Sequence, residues 1–283
     1  MPYCLIFPGQ GTQFPGMSAG LDLAWTADDG LQGLIESGPE DVLTQTLNAQ
    51  KAVFAVTAAL WAKSGLNDPL FVLGHSLGEY MALTASGALS REDCYRLVCA
   101  RAAAMDSAMP KGQGAMTAVL GMSGEEIAEA LQGVEGVWVA NLNMQGQAVI
   151  SGDAPAVEQA GLMLKGKGAK RIVPLKVSVA SHCPRMEPAR LALARYLQGV
   201  ELGRPRVPVV FNATASEESD PEKIKGLLAD QLVKPVLWER SVRYAHSRGA
   251  DTFIEIGPRS VLSPMVRKIA PDAKVEVITA HEH

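Results

Sequence analysis

Gly74-His75-Ser76-Leu77-Gly78 sets a serine two residues from a glycine on either side, the G-x-S-x-G spacing of a nucleophile elbow. The strand-to-helix turn that presents such a serine is sharp, and bulk beside it clashes. The flanks suit that reading. Residues 70–73 are a continuous apolar run, as expected of a central parallel strand, and 79–86 suit a helix that stops at Gly87. An elbow of this kind holds Ser76 Oγ at the carboxyl end of a sheet and at a helix N-terminus. There the backbone N–H of Leu77 can help to hold an oxyanion.

A serine nucleophile needs a base, and the histidines are His75, His182, His246, His281 and His283. His75 sits on the elbow itself, so its side chain is expected to project away from the serine and pack. His246 lies between Arg243 and Arg248 on a charged helix and reads as a surface residue. His281 and His283 belong to a polar terminal tail. His182 is different. It lies in VSVASHCPRMEPA, after the last strand of one unit and before a proline-bounded helix of another, a seam of the kind where clefts form. His182 is therefore the expected base, against a plain role capping that helix.

A third residue stands out by its periodicity. Cys94, Leu97, Val98, Ala102 and Met105 form an apolar helical stripe at i, i+3, i+4, i+8 and i+11, and its i+7 position is Arg101. A guanidinium on a buried face needs an anion, because an unpaired buried charge is costly. Two readings stay open on the residues alone. One is an internal Asp or Glu, or a side chain that snorkels out to water. The other is a substrate carboxylate gripped by both arms of the guanidinium.

The elements that must position these residues alternate along the chain. Residues 3–7 read as a buried strand entering a loop at Pro8-Gly9. Gly9-Gln10-Gly11 opens a dinucleotide-like pattern, but Phe14 stands where its third glycine belongs, so these glycines serve a close backbone approach instead. Residues 17–50 are polar and weakly patterned, with one helix expected near 41–48; 51–63 reads as a buried helix. Ser90, with Asp93 three residues on, opens the helix that carries Arg101. Strands at 115–120, 137–141, 147–150 and 170–177, with helices at 124–131 and 154–165, give the βαββαβ order of a ferredoxin-like unit. Helices at 187–197, 222–232, 240–248 and 261–269 and strands at 207–211 and 252–256 follow. The expected fold is α/β. A large hydrolase-like domain, 1–111 and 179–283, has a mostly parallel sheet covered on both faces, and a small ferredoxin-like domain, 112–178, interrupts it.

Composition narrows the class. The 283 residues are 47% hydrophobic and 20% charged, which excludes disordered and fibrous chains. Lys plus Arg number 26 against 30 for Asp plus Glu, and a net charge of −4 leaves no overall basic field for nucleic acid. Cys4, Cys94, Cys99 and Cys183 form no C-x-x-C pair, and no metal site is expected. The start MPYCLIFPGQG lacks a basic n-region, and the longest apolar run, 52–62, is too short to span a membrane. A cytoplasmic protein with free thiols is expected.

Further motifs carry a resemblance. With the elbow, Arg101 in RLVCARAAAM and VSVASHCPRMEPA go FPGQGTQFPGM at 7–17, GQGAMTAVLG at 112–121, NLNMQGQAVISG at 141–152, DQLVKPVLW at 230–238 and EIGPRSVLSPMVRK at 255–268. In this order they resemble the malonyl-CoA:acyl-carrier-protein transacylase family, which includes acyltransferase domains of polyketide and fatty acid synthases. The resemblance implies Ser76 as nucleophile, His182 as its base and Arg101 as anchor for the malonyl carboxylate. It implies the backbone N–H groups of Gln10 and Leu77 as oxyanion hole. It also implies Gln231 as the residue whose main-chain carbonyl orients His182, with no carboxylate third member.

The implied chemistry is ping-pong. Malonyl-CoA acylates Ser76, and the phosphopantetheine thiol of an acidic acyl carrier protein then takes the malonyl group. No bound cofactor is expected, nor a nucleic-acid or membrane partner, and a monomer is the default. Leu77 fits the malonyl-preferring pattern, while Val179-Ala180-Ser181-His182 is a hybrid of the YASH-type motif of methylmalonyl-selective members. An acidic carrier calls for a local basic patch. Lys170 and Arg171, near Lys165 and Lys167, and Arg267 with Lys268 are the candidates. Between Met17 and 38–43, family members carry roughly one more helix than this polar stretch suggests.

Rival readings remain. A serine hydrolase of acyl thioesters would run Ser, Asp, then a late His, with Asp230 and His246 available. A non-catalytic scaffold would have no need of Ser76, Arg101 and His182 together. Fatty acid synthesis, polyketide synthesis and a malonate decarboxylase malonyl-transfer subunit share these residues, which do not separate the pathways.

Overall fold

The computed structural model describes residues 2–110, 112–177 and 179–280, so His281, His283 and the outermost ends of the expected domain bounds lie outside the described residues. The chain first runs β1 (Tyr3–Phe7), α1 (Asp29–Ser37), α2 (Glu40–Leu43), α3 (Thr46–Ser64), β2 (Phe71–Gly74), α4 (Gly78–Ala85) and α5 (Arg91–Ser107). Next come β3 (Gly114–Leu120), α6 (Gly124–Ala130), β4 (Val137–Met144), β5 (Gln147–Asp153), α7 (Ala154–Gly166) and β6 (Arg171–Pro174). It closes with α8 (Glu187–Leu197), β7 (Val209–Phe211), β8 (Ser216–Glu217), α9 (Pro221–Asp230), α10 (Trp238–Ser247), β9 (Thr252–Ile256), α11 (Ser263–Ile269) and β10 (Lys274–Ile278).

Six strands form one sheet in the order β10-β9-β1-β2-β7-β8. Every pairing from β10 to β7 is parallel, and only the short edge strand β8 is antiparallel. Leu5, Phe7, Val72, Phe211 and Ile256 point into one core, shared with α3, α5 and α8. Cys4, Ile6, Phe71, Leu73 and Phe253 point into the other, under α10 and α11. Burial on both faces is why β1 and β2 read as apolar runs, whereas β9 also buries Thr252 and Glu255. The parallel pairing sends the loops after β1, β2 and β7 to the same carboxyl-end rim, where ligands of parallel sheets bind.

Four strands form a second, antiparallel sheet in the order β4-β5-β3-β6. Val119, Ile150, Ile127, Val157 and Leu164 pack one face of it under α6 and α7. The second sheet is tied through the backbone to the segment before α10. Leu142 N–H donates to the Val236 carbonyl and Val236 N–H to the Ala140 carbonyl, each at 2.9 Å.

Several expected bounds move. The polar stretch after Met17 holds a helix that its pattern does not announce: Asp28 caps α1 through Leu31 N–H, and Leu31 and Ile35 bury its inner face. The expected helix 41–48 is broken into α2 and the start of α3. The strand expected over 170–177 ends at Pro174; Leu175 N–H still donates to the Met116 carbonyl of β3 at 2.9 Å, and Leu175 and Val177 line a cleft. β4 and β5 run longer than expected, with register shifts in β4 at 139–141 and 142–144. The edge strands β8 and β10 had no expectation at all. Among the described residues no helix is long and apolar enough to cross a membrane.

Candidate active site

Ser76 sits between β2 and α4 with φ 52°, a left-handed conformation that a non-glycine residue adopts at a cost of about 1–3 kcal/mol. Its two glycines are there for space. A Cβ on Gly74 would lie 1.9 Å from the Gly78 carbonyl carbon, and one on Gly78 2.0 Å from the Phe7 oxygen. Asn212, just past β7, clamps the turn from the side. Its Oδ1 accepts from Ser76 N–H at 2.7 Å, and its Nδ2 donates to the Gly74 carbonyl at 2.6 Å.

Ser76 Oγ is 2.8 Å from His182 Nε2. His182 Nδ1 is 2.8 Å from the Gln231 main-chain carbonyl, which only accepts, so the ring proton sits on Nδ1 and Nε2 is free to take one from the serine. His182 is buried and also left-handed, with φ 60°. Burial, and after it the Arg101 charge, push its pKa down to about 3 against the opposing Gln231 hydrogen bond. The imidazole is therefore neutral at ordinary pH. The backbone N–H groups of Gln10 and Leu77 have no acceptor among the described residues. The first loop comes hard against the elbow, since a Cβ on Gly9 would meet the His75 oxygen at 2.7 Å.

Arg101 is 1% exposed, so it does not snorkel. Its Nη1 donates to Gln50 Oε1 at 2.5 Å, and its Nη2 to Gln231 Oε1 at 3.0 Å and Ser76 Oγ at 3.2 Å. All three partners are neutral, and Nε has no partner among the described residues. Glu79 makes no hydrogen bond to the guanidinium, and burial pushes its carboxyl up to about 8 against the hydrogen bonds from Asn212 and Gln231 and the Arg101 charge. A buried cation whose hydrogen-bond partners are all neutral is left able to receive an anion beside the nucleophile.

Gln10, Ser76, Arg101 and His182 face Met116 and Asn143 of the second sheet across a cavity of about 170 Å³. That is well below the roughly 300 Å³ at which sites bury a whole drug-sized ligand, and it suits a short acyl group. Met116, Leu175 and Val177 also line an adjoining groove of about 710 Å³ between α7, β3 and β6, rimmed by Lys165, Lys170 and Arg171. Arg267 and Lys268 fall in the last turn of α11, which packs against β4 at the opposite edge of that sheet.

The remaining candidates separate. His75 does not leave the site: it lines the cavity, bonds Asn143 Oδ1 at 2.9 Å through Nε2 and meets Trp238 edge-on. His246 pairs with Asp272, and Asp230 with Lys234, so neither reaches Ser76 and the hydrolase-type Asp–His pair is not formed. No group of three or more His, Cys, Asp or Glu among the described residues is placed to hold a metal. Sequence reasoning missed Gln50, Glu79, Asn143 and Asn212. Gln50 is a polar residue in a buried helix, and Asn212 ends a parallel strand beside the elbow; both are signals that were there to be read.

The acyl transferase domain family model matches residues 24–280. The malonyl CoA-acyl carrier protein transacylase of Escherichia coli (strain K12) is 37% identical over 98% of this chain and 94% of its own length. That of Bacillus subtilis (strain 168) is 41% identical over 93% and 89%. The solved malonyl CoA-acyl carrier protein transacylase of Coxiella burnetii superposes with a TM-score of 0.94 at 35% identity, covering 99% of this chain and 95% of that one. A malonyl-transacylase solved in complex with its type II PKS acyl-carrier protein gives 0.93 at 38%, covering 99% and 96%.

Proposed function

The chain belongs to the malonyl-CoA:acyl-carrier-protein transacylase family, and from that premise we propose that it moves a malonyl group from malonyl-CoA to the phosphopantetheine thiol of an acyl carrier protein. The observation that carries this is the buried Arg101 guanidinium, hydrogen-bonded among the described residues to neutral groups alone and 3.2 Å from the Ser76 hydroxyl. A carboxylate-bearing acyl group supplies the missing anion and brings its thioester carbonyl to the serine.

His182 Nε2 takes the Ser76 proton as Oγ attacks the thioester carbon, and the Gln10 and Leu77 N–H groups receive the oxyanion. The C–S bond breaks, and the departing CoA sulfur takes the proton from His182. In the second half the carrier's thiol gives its proton to His182 and its sulfur attacks the malonyl-serine ester. The Ser76 oxygen leaves with that proton, and the enzyme is restored. Ser76, His182 and the two thiols account for every proton and electron pair, so no bound cofactor takes part.

The order β4-β5-β3-β6 with two helices on one face supports reading 112–178 as a ferredoxin-like insertion in a hydrolase-like domain of 1–111 and 179–283. We take the protein to act as a cytoplasmic monomer, in keeping with four free cysteines. Lys170 and Arg171 on one side of the cleft, and Arg267 and Lys268 on the other, are taken to receive the acidic carrier. The test is a brief incubation with equal malonyl-CoA and acetyl-CoA, reading the adduct on Ser76 by mass. A malonyl ester that passes to added holo-carrier is expected; equal acetyl loading, or release of free malonate in preference to transfer, would overturn the proposal.

A further inference from the structure

Glu79, on the first turn of α4, is fully buried behind the elbow and takes no part in the proton transfers above. Its two oxygens are separately occupied. Oε2 accepts from the Asn212 backbone N–H at 2.6 Å, and Oε1 from Gln231 Nε2 at 2.9 Å. The other Nε2 proton of Gln231 goes to the Ser76 carbonyl at 3.1 Å, and its Oε1 accepts from Arg101 Nη2 at 3.0 Å. The Gln231 amide is thus held between acceptors on its nitrogen side and a donor on its oxygen side. A guanidinium has no acceptor to offer, so only this orientation of the amide serves Arg101.

We propose that Glu79 is a positioning residue for Arg101: by accepting from Gln231 Nε2 it turns the Gln231 carbonyl oxygen toward the guanidinium, and so sets the preference for acyl groups that carry a carboxylate. The inference rests on the reading of Arg101 as malonyl anchor. Its physical basis is a difference between two donors. The Asn212 N–H belongs to the backbone and cannot turn, whereas the Gln231 amide can.

An amide at position 79 has one acceptor for these two donors. In Glu79→Gln the new oxygen faces the fixed Asn212 N–H, and its NH2 meets Gln231. Gln231 then rotates to accept from it, and its own NH2 meets Arg101, donor against donor. The guanidinium loses a buried acceptor and its fixed place. The fault introduced at Glu79 therefore appears at the far end of the chain, as lost selectivity.

The experiment measures kcat and KM for Ser76 acylation by malonyl-CoA and by acetyl-CoA in wild type, Glu79→Gln, Gln231→Leu and the double variant. Gln231→Leu keeps the main-chain carbonyl that serves His182. The malonyl-over-acetyl ratio of kcat/KM is expected to fall about tenfold in Glu79→Gln, mainly through KM for malonyl-CoA. It should fall similarly in Gln231→Leu and no further in the double variant. A ratio within threefold of wild type in Glu79→Gln, with both substrates slowed alike, overturns the inference and leaves Glu79 a prop of the elbow; so does a double variant that multiplies the two losses. If Glu79→Gln does not accumulate folded, Gln231→Leu decides, and an unchanged ratio there is equally fatal. A wild type without malonyl preference would overturn the function proposed above along with this inference.

Discussion

Arg101 Nη2 stands 3.2 Å from Ser76 Oγ, the same oxygen that lies 2.8 Å from His182 Nε2. One hydroxyl therefore meets both a buried cation and the imidazole proposed to remove its proton. The cation favours a developing alkoxide but opposes a developing imidazolium, and the second effect helps hold His182 down to about 3. On the proposed function, a malonyl carboxylate seated on Arg101 would offset that charge and return basicity to His182.

Removing the cation tests this with a definite sign. Arg101→Ala takes away a charge that lowers the His182 pKa, so that pKa rises and protonation disables the base at a higher pH. The acid limb of the pH–rate profile for acetyl-CoA, which has no carboxylate to lose, should move to higher pH than in wild type. Malonyl loading should fall about 10- to 100-fold in kcat/KM at neutral pH. An acid limb that stays where it is would show that the Arg101 charge does not reach the base.

Asn212→Ala should damage the elbow rather than binding. It strands Ser76 N–H and the Gly74 carbonyl inside a turn already held at positive φ. Two orphaned buried groups cost about 2–4 kcal/mol together. The expected outcome is a lower denaturant midpoint and a fall in kcat with KM for malonyl-CoA little changed. A fall confined to KM would instead make Asn212 a binding residue.

Two glycine-to-alanine changes should go in opposite directions. At Gly78 the new methyl would overlap the Phe7 backbone oxygen, which cannot step aside, and a loss of about 3 kcal/mol or more is expected. At Gly33, exposed in the middle of α1, nothing lies within 4 Å, and alanine should stabilise by about 0.5–1 kcal/mol. Urea unfolding of both variants checks the contrast, and equal effects would remove the steric account of the motif.

What could be read in advance divides along physical lines. β1 and β2 declare themselves as apolar runs because both faces are buried, and β9 does so through Phe253, Ile254 and Ile256 although it also buries Thr252 and Glu255. Thr252–Ile256 and Glu187–Leu197 fall where expected to the residue. α1 does not declare itself, because it hangs on one cap and two apolar contacts while carrying Gly30 and Gly33. β10 is a half-exposed edge strand with nothing to require it locally. At the site, Ser76 follows from a local motif and Arg101 from a broken stripe. Gln50 and Asn212 stand out locally as polar residues in buried surroundings, but the hydrogen bonds of Gln50, Glu79 and Asn212 span 51, 133 and 136 positions, and no local pattern names those partners.

The same logic bears on the carrier. A net charge of −4 would give the proposed acidic carrier no general attraction, so its docking would depend on where the 26 Lys and Arg cluster. Lys170 and Arg171 rim the groove that opens into the catalytic cavity, while Arg267 and Lys268 lie by the other edge of the same sheet. Reversing Lys170 and Arg171 to Glu should raise KM for the carrier about tenfold at low salt. The penalty should shrink as ionic strength rises, and the rate of Ser76 loading from malonyl-CoA should stay within about threefold of wild type. Reversing Arg267 and Lys268 in a second variant asks whether the carrier spans the cleft or keeps to the groove. If only the first pair matters, the carrier approaches over α7 and β6; if neither does, docking lies elsewhere and the basic rim is a solvated surface.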